Sequence, residues 1–381
     1  MLQGLRVVEV SSFVAAPSAG LTLAQLGAEV IRVDPVGGAA DIDRWPVGPD
    51  GKSLYWAGLN RGKSSVVADL RSPEGRELVL GLLGDGGDSG GILVTNVNAP
   101  WLAHEVLRES RPDLVHVQVR GRRDGEPAVD YTVNAASGVA YVTGFDQHVP
   151  VNHALPAWDL LAGLYAATTV LAAVHRRRDT GEGTFATIAL DDIASSVLTT
   201  LGWLPEAHLT GESRPAVGNS VYGTFALDVT LADHTRVLAV ALTARQWDDL
   251  LRVTGCRRLV DGIATELRMD FTREGDRYRS RELLCAVLRP WFAARTLAEV
   301  TEALGSTSVL WSPFRSLLDH ALELAAGTAA PVVSTRTDAI GTTLATTGPV
   351  RRPLEEPASP APAPVLGQDT ERWTASVRTR A

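Results

Sequence analysis

The chain has 381 residues, 45% of them hydrophobic and 21% charged, and a formal net charge of −8. That is length enough for a large core and two domains, and the balance excludes wholesale disorder. An acidic chain argues against nucleic acid as a partner, so any anionic ligand needs basic groups gathered locally.

In chain order, LRVVEV (5–10) predicts a short apolar strand. It follows Met1 at once, without a basic, signal-like lead, so a cytoplasmic protein is expected. After Pro17 the spacing is helical, and EVIRV (29–33), closed by Asp34 and Pro35, is a second strand. This βαβ unit predicts a parallel sheet with helices packed on it. SSVVADL (64–70), GILVTNV (91–97) and LVHVQV (114–119) predict further strands, with a helix over 73–83 and a glycine-rich link over 84–91.

Asp159 to Arg178 is the longest predicted helix. Its charge-free run, Leu160 to Val174, is too short to span a bilayer, and no membrane partner is expected. FATIAL (185–190) predicts a strand, and DDIASSVLTTLGWL a helix with an acidic first turn. The texture changes over 205–220, which marks a domain boundary. Strands in YGTFALDVT and TRVLAVAL, with amphipathic helices in ARQWDDLLRVTG and SRELLCAVLRPWFAA, predict a smaller α+β domain over 221–320. The proline-rich segment from Arg351 to Trp373 predicts an extended surface strap.

Several chemistries fail on spacing. Asp34 ends the second strand where a ribose-binding acid would sit, but the preceding turn, VSSFVAAPSAG, has no GxGxxG. Nicotinamide and flavin are therefore not expected, and Asp34 reads as a strand-end residue. LNRGKSS has Ala57 where a P-loop needs its first glycine, and it precedes a strand. The eight histidines show no HxH or HExxH, and Cys256 and Cys285 form no CxxC. No metal site or disulfide framework is expected, and a reducing compartment fits. No serine-hydrolase site is expected, and Ser137 reads as a turn or helix-start residue.

Asp159 stands at the mouth of the long apolar helix and has two readings. As an N-cap it would accept hydrogen bonds from free first-turn amides. As a nucleophile or base it would use the same amides and an apolar wall.

The chain resembles the class III CoA-transferase family (CaiB/BaiF type), which includes formyl-CoA transferase, carnitine CoA-transferases and α-methylacyl-CoA racemases. The resemblance is carried by LQGLRVVEVSSFVAAPSAGLTLAQLGAEVIRVDP, SLYWAGLNRGKSSVVADLRSPEGREL, DYTVNAASGVAYVTG, DLLAGLYAATTVLAAVHRRRDTGEG, YGTFALDVTLADHTRVLAVALTARQWDDLL and PAPVLGQDTERW. It implies a Rossmann-like large domain, 1–205 completed by 325–381, a small domain over 221–320, and an interlocked homodimer threaded by the strap. It implies acyl-CoA and a carboxylic acid acceptor as substrates. Asp159 would attack the thioester, form a mixed anhydride and then carry CoA as an aspartyl thioester, with first-turn amides stabilising the oxyanions. Val14 and Ala15 would line the entry beside the thioester. Ala68, Arg71, Asn96 and His104 would contact CoA. Tyr131 stands where formyl-CoA transferase has a glutamate, Val14 where it has a glutamine, and Val129 where racemases have a histidine. The apolar Val14, Val129 and Trp158 suggest a site for larger or less polar acyl groups than formyl or oxalyl. Two alternatives stay open: a racemase using Asp159 with His153 as second acid/base, and a CoA-thioester-binding subunit with little activity.

Overall fold

The structure is a computed structural model and describes residues 1–146, 148–327, 332–352, 354–355 and 359–379. Part of the expected strap, residues 353 and 356–358, lies outside them. The chain divides into two compact units, the first made of 1–139, 152–212 and 321–381, the second of 140–151 and 213–320.

The first unit opens with β1 (Arg6–Val10), α1 (Ala15–Gln25), β2 (Glu29–Asp34), α2 (Leu54–Asn60), β3 (Ser64–Val67), α3 (Pro73–Gly84), β4 (Ile92–Thr95), α4 (His104–Ser110), β5 (Val115–Arg120) and α5 (Asp130–Ala136). Local chemistry sets several boundaries. Ser53 and Ser72 cap α2 and α3 through their hydroxyls, and Pro73 takes the first position of α3, where no amide is needed. After α6 (Val139–Thr143), which falls almost wholly in the second unit, come α7 (Ala157–Thr180), β6 (Thr184–Ala189), α8 (Leu190–Thr200) and α9 (Trp203–Thr210). The expected boundary texture from Pro205 thus begins inside a helix.

The six strands form one parallel sheet in the order β3-β2-β1-β4-β5-β6. This is the α/β architecture that the alternating pattern predicts. The strand order reverses between β1 and β4, where open α/β sheets bind ligands at their carboxyl edge. Helices that connect parallel strands run against them, so α1 and α7 both begin at that edge.

Those two helices meet with only small side chains between them. A Cβ on Gly163 would collide with Ser18 Oγ and lie 2.8 Å from the carbonyl of Ala15. Small residues on both sides, Ala15, Ala19, Ala162 and Ala166, continue the contact into the core. By length and composition α7 could also cross a membrane, but its buried face, from Trp158 to Arg177, belongs to this packing. Arg177 is buried and donates to the carbonyls of Gly91 and Asp113, bracing the starts of β4 and β5.

Under α1 lies a buried ion network. Glu9 on β1 is in register with Arg32 on β2. Arg32 reaches Asp34 at 2.9 Å, Glu9 at 3.3 Å and Asp41 at 3.5 Å. Lys63, just before β3, donates to Glu9, to Asn60 and to the carbonyl of Pro17. Every side chain in these ion pairs is at most 1% exposed. Burial pulls Lys63 down to about 8 and lifts Asp41 above the usual carboxylate range, against the pull of Arg32. Asp34 is thus spent on Arg32, not offered to a ribose, and the lysine of GKS is structural.

In the second unit β7 (Phe225–Thr230), β8 (Arg236–Ala241) and, later, β9 (Leu310–Pro313) form an antiparallel sheet. Between β8 and β9 run α10 (Ala244–Thr254), α11 (Arg257–Leu267), α12 (Glu274–Arg279), α13 (Arg281–Ala293) and α14 (Leu297–Leu304), which cover it around Phe225, Trp247, Leu288 and Phe292. Residues 140–151 group with this unit, although they lie in the stretch read as large domain. Val217 and Gly218 donate to the carbonyls of Val142 and Gly144, which explains the grouping. The chain returns through α15 (Leu317–Ala325) to a hairpin that the sequence reading does not anticipate, β10 (Val333–Asp338) and β11 (Gly341–Thr346), and then to α16 (Thr370–Arg378).

Replacing Lys63 by Met leaves Glu9 buried without its closest cation. The expected cost is about 3 kcal/mol or more. It is measured as a fall in the first unfolding transition on heating, and adding Glu9→Gln to the variant is expected to restore part of the loss.

Candidate active site

Asp159 is the third residue of α7, not its cap. The cap position is Pro156, which offers no side chain to the helix. The N-cap reading is therefore corrected: proline holds the position and the carboxylate points elsewhere. Among the described residues, that carboxylate accepts no hydrogen bond.

The amides of the first turn are taken by another acid. Asp130, the first residue of α5 and 1% exposed, accepts from Trp158 N at 2.7 Å and Asp159 N at 3.1 Å. Ala157 N donates to Leu155 O, and Leu160 N to Pro156 O. The expectation that amides at the start of α7 stabilise oxyanions thus fails, because each has a partner. The start of α1 is different. No side chain caps it, and the amides of Ala15 and Ala16 are first-turn donors with no intrahelical acceptor. Gly163, one turn after Asp159, is seated on the Ala15 carbonyl, so the first turn of α1 packs against the second turn of α7.

This arrangement sets the acidity of Asp159. Burial, then the charge of Asp130, push its carboxyl up to about 7, and the Arg44 guanidinium pulls the other way. Near neutral pH it therefore exists in both protonation states. Its anion is poorly solvated and sits next to a second anion, so turning it into a neutral ester, anhydride or thioester relieves repulsion.

α5 grips the approach to α7 with two residues one turn apart. Asp130 Oδ1 lies 2.5 Å from His153 Nε2, and Asn134 bonds both Asn152 and the Trp158 indole. His153, considered above as a second acid/base, has this nitrogen committed to Asp130. Tyr131 is partly exposed and sets its ring edge-on to His153 at 5.8 Å. Val129 is exposed and, with Asn96, Gln118, Arg120 and Thr132, lines a cleft of about 480 Å³ above the ends of β4 and β5.

The loop between β1 and α1 is held from both sides. Asn96, one residue past β4, accepts from Ser12 N and donates to Ser12 O, so its amide is spent on backbone. Phe13, at φ +63, donates its N–H to Asp41 at 3.0 Å. Val14 and Ala15 follow, both buried. The structure thus brings Val14, Ala15, Asn96, Tyr131 and Asp159 to the same edge of the sheet.

Of the other expected contacts, Ala68 and Arg71 follow the carboxyl end of β3 at this same edge, and His104 opens α4. Ala68 is buried in the core beneath α3. Arg71 is almost fully exposed and pairs with Asp69 at 3.5 Å. His104 stacks on Phe185 at 4.8 Å beside His116. Burial lowers both histidines, His116 to about 4, so each is neutral at pH 7 and lacks the charge of a basic CoA contact. Among the described residues no group of three or more His, Cys, Asp or Glu could hold a metal ion.

The family described as CoA-transferase family III matches residues 2–370, and the chain belongs to it. It is 46% identical to 2-methylfumaryl-CoA isomerase of Chloroflexus aurantiacus over 83% of this chain and 78% of that one. It is 29% identical to succinyl-CoA:mesaconate CoA-transferase of Haloarcula hispanica over 79% and 78%. A CaiB/BaiF family protein from Brucella suis shares the fold, with a TM-score of 0.79, 24% identity and 99% coverage of both chains.

Asp130 was missed by the sequence reading, although Val129 and Tyr131 on either side were singled out. Its signal is an acid opening a helix directly ahead of a segment that leads to another helix start. Replacing Asp130 by Asn removes the second cause of the raised Asp159 pKa. The pH midpoint for acylation of Asp159 is expected to fall below about 7, measured as adduct formation in a single turnover across pH 4–9.

Proposed function

We propose that the protein moves CoA between two carboxylates through Asp159, and that both belong to one short unsaturated dicarboxylic acid. The observation that carries the reading is Asp159 itself, half-buried, without a hydrogen-bond partner among the described residues, titrating near 7 beside the uncapped start of α1. The likeness to a 2-methylfumaryl-CoA isomerase supports the acid's class.

The bonds balance without a cofactor. The Asp159 carboxylate attacks the thioester carbonyl, and CoA thiolate leaves as the mixed anhydride forms. The thiolate attacks the aspartyl carbonyl, giving aspartyl-CoA and releasing the substrate's carboxylate. The substrate turns, its other carboxylate attacks aspartyl-CoA, and thiolate leaves again. Attack of the thiolate on the substrate carbonyl then gives the isomeric thioester and restores Asp159. Amides at the start of α1 offer hydrogen bonds to the tetrahedral oxyanions. The apolar walls, Val14 and Trp158 among them, keep water from the anhydride.

An acceptor acid from solution would enter the same cycle, so transfer between molecules is the second reading, supported by the succinyl-CoA:mesaconate relative. The proposal includes the interlocked homodimer, which would cover exposed Leu164, Tyr165, Leu201 and Leu209 of the first unit, and a cytoplasmic location.

The test uses 2-methylfumaryl-CoA carrying ¹³C in the esterified carboxyl. Migration to the 3-methyl isomer without exchange into unlabelled free methylfumarate is expected, with a hydroxylamine-trapped adduct mapped to Asp159. Asp159→Asn is expected to fall below about one-thousandth of the wild-type rate. Deuterium entering an α-carbon, with no adduct, would replace this reading by a racemase.

A further inference from the structure

Arg44 is an exposed arginine with no part in the expectations drawn from the sequence. Its guanidinium lies 5.5 Å from the ring of Phe13 and 5.3 Å from the ring of Tyr55. Two acids stand close to it in the chain, Asp41 and Asp43, yet among the described residues it forms no ion pair or side-chain hydrogen bond. Asp41 is turned inward to Arg32 and to the Phe13 amide. The backbone of Arg44 is fixed as well, since its carbonyl accepts from Ser53 Oγ, the same hydroxyl that caps α2. A cation held by two aromatic faces keeps its fork of donors free for an incoming anion.

Its position says which anion. Phe13 precedes Val14 and Ala15 at the start of α1, and Tyr55 feels the charges of both Arg44 and Asp159. Arg44 is thus close to Asp159, at the acyl end of the proposed site.

We infer that Arg44 binds the carboxylate of the substrate that is not reacting. This inference rests on the proposed transfer between carboxylates of one dicarboxylic acid, and it names the group that selects that acid. A monothioester of such an acid always carries one free carboxylate. Before migration Arg44 holds the distal one, and afterwards it holds the one that CoA has left. Bidentate pairing also fixes the acyl plane in front of Asp159. The same cation favours the ionised form of Asp159, so it links substrate selection to nucleophile ionisation.

The test compares two donors of equal carbon skeleton. One is 2-methylfumaryl-CoA. The other is (E)-2-methylbut-2-enoyl-CoA, in which a methyl replaces the free carboxylate. Acylation of Asp159 is followed by hydroxylamine trapping in wild type, Arg44→Gln and Arg44→Lys. Wild type is expected to prefer the dicarboxylate donor. Arg44→Gln should cut that preference about 50-fold, and Arg44→Lys, which keeps charge but loses the fork, about 10-fold. Arg44→Gln should also move the pH midpoint of acylation upward with either donor, because the cation favouring ionised Asp159 is gone. An unchanged preference in Arg44→Gln, with wild type still selective, overturns the inference and leaves the transfer reading standing. A wild type acylated only by the methyl donor overturns the dicarboxylate reading and the inference together.

Discussion

Three carboxylates and two cations buried beneath α1 constrain the rest of the first unit. Glu9, Arg32, Asp34, Asp41 and Lys63 come from β1, β2, the segment after β2 and the residue before β3, and none can leave without stranding a charge in a dry interior. The network therefore fixes more than strand spacing. Asp41 reaches out of it to the Phe13 amide, and Lys63 to the carbonyl of Pro17 inside α1. Through these two bonds the loop that enters α1, and with it the first uncapped amides, takes one conformation. Gly20 is part of the same constraint, because a Cβ there would strike the Glu9 carboxylate.

The chemistry at α7 follows from a second use of buried charge. A helix start normally stabilises a nearby anion. Here that stabilisation goes to Asp130, which binds the amides of Trp158 and Asp159. Asp159 is left with the repulsion of Asp130 and little water, and Arg44 alone offsets them. The result is a carboxyl group that gains when its charge is consumed.

Much of the fold was legible because its signals are local. Alternating apolar strands and helices, short connections and a right-handed βαβ start define a parallel sheet with little freedom. Asp159 was legible for the same reason: it is a lone acid before fifteen uncharged residues. What surrounds it was not. Asp130 and Arg44 lie 29 and 115 residues away in the chain, and nothing local says that they converge. Asn96 shows the opposite difficulty, a residue expected to contact CoA whose amide is bound to the Ser12 backbone. His104 reads as a basic residue, yet packing on Phe185 and His116 makes it neutral. One signal was present and unused. Glu9 and Arg32 each interrupt a buried apolar strand, and charges at such positions must answer each other.

The contact of Gly163 with Ala15 and Ser18 is made by backbone and one short hydroxyl side chain. It acts as a gauge block: the separation of α1 and α7 is set by atomic radii. Loops at the carboxyl edge can then drift in sequence while the spacing of α1 and α7 stays the same. Divergence in what is carried, with constancy in how it is carried, is what such a stop would permit across a lineage.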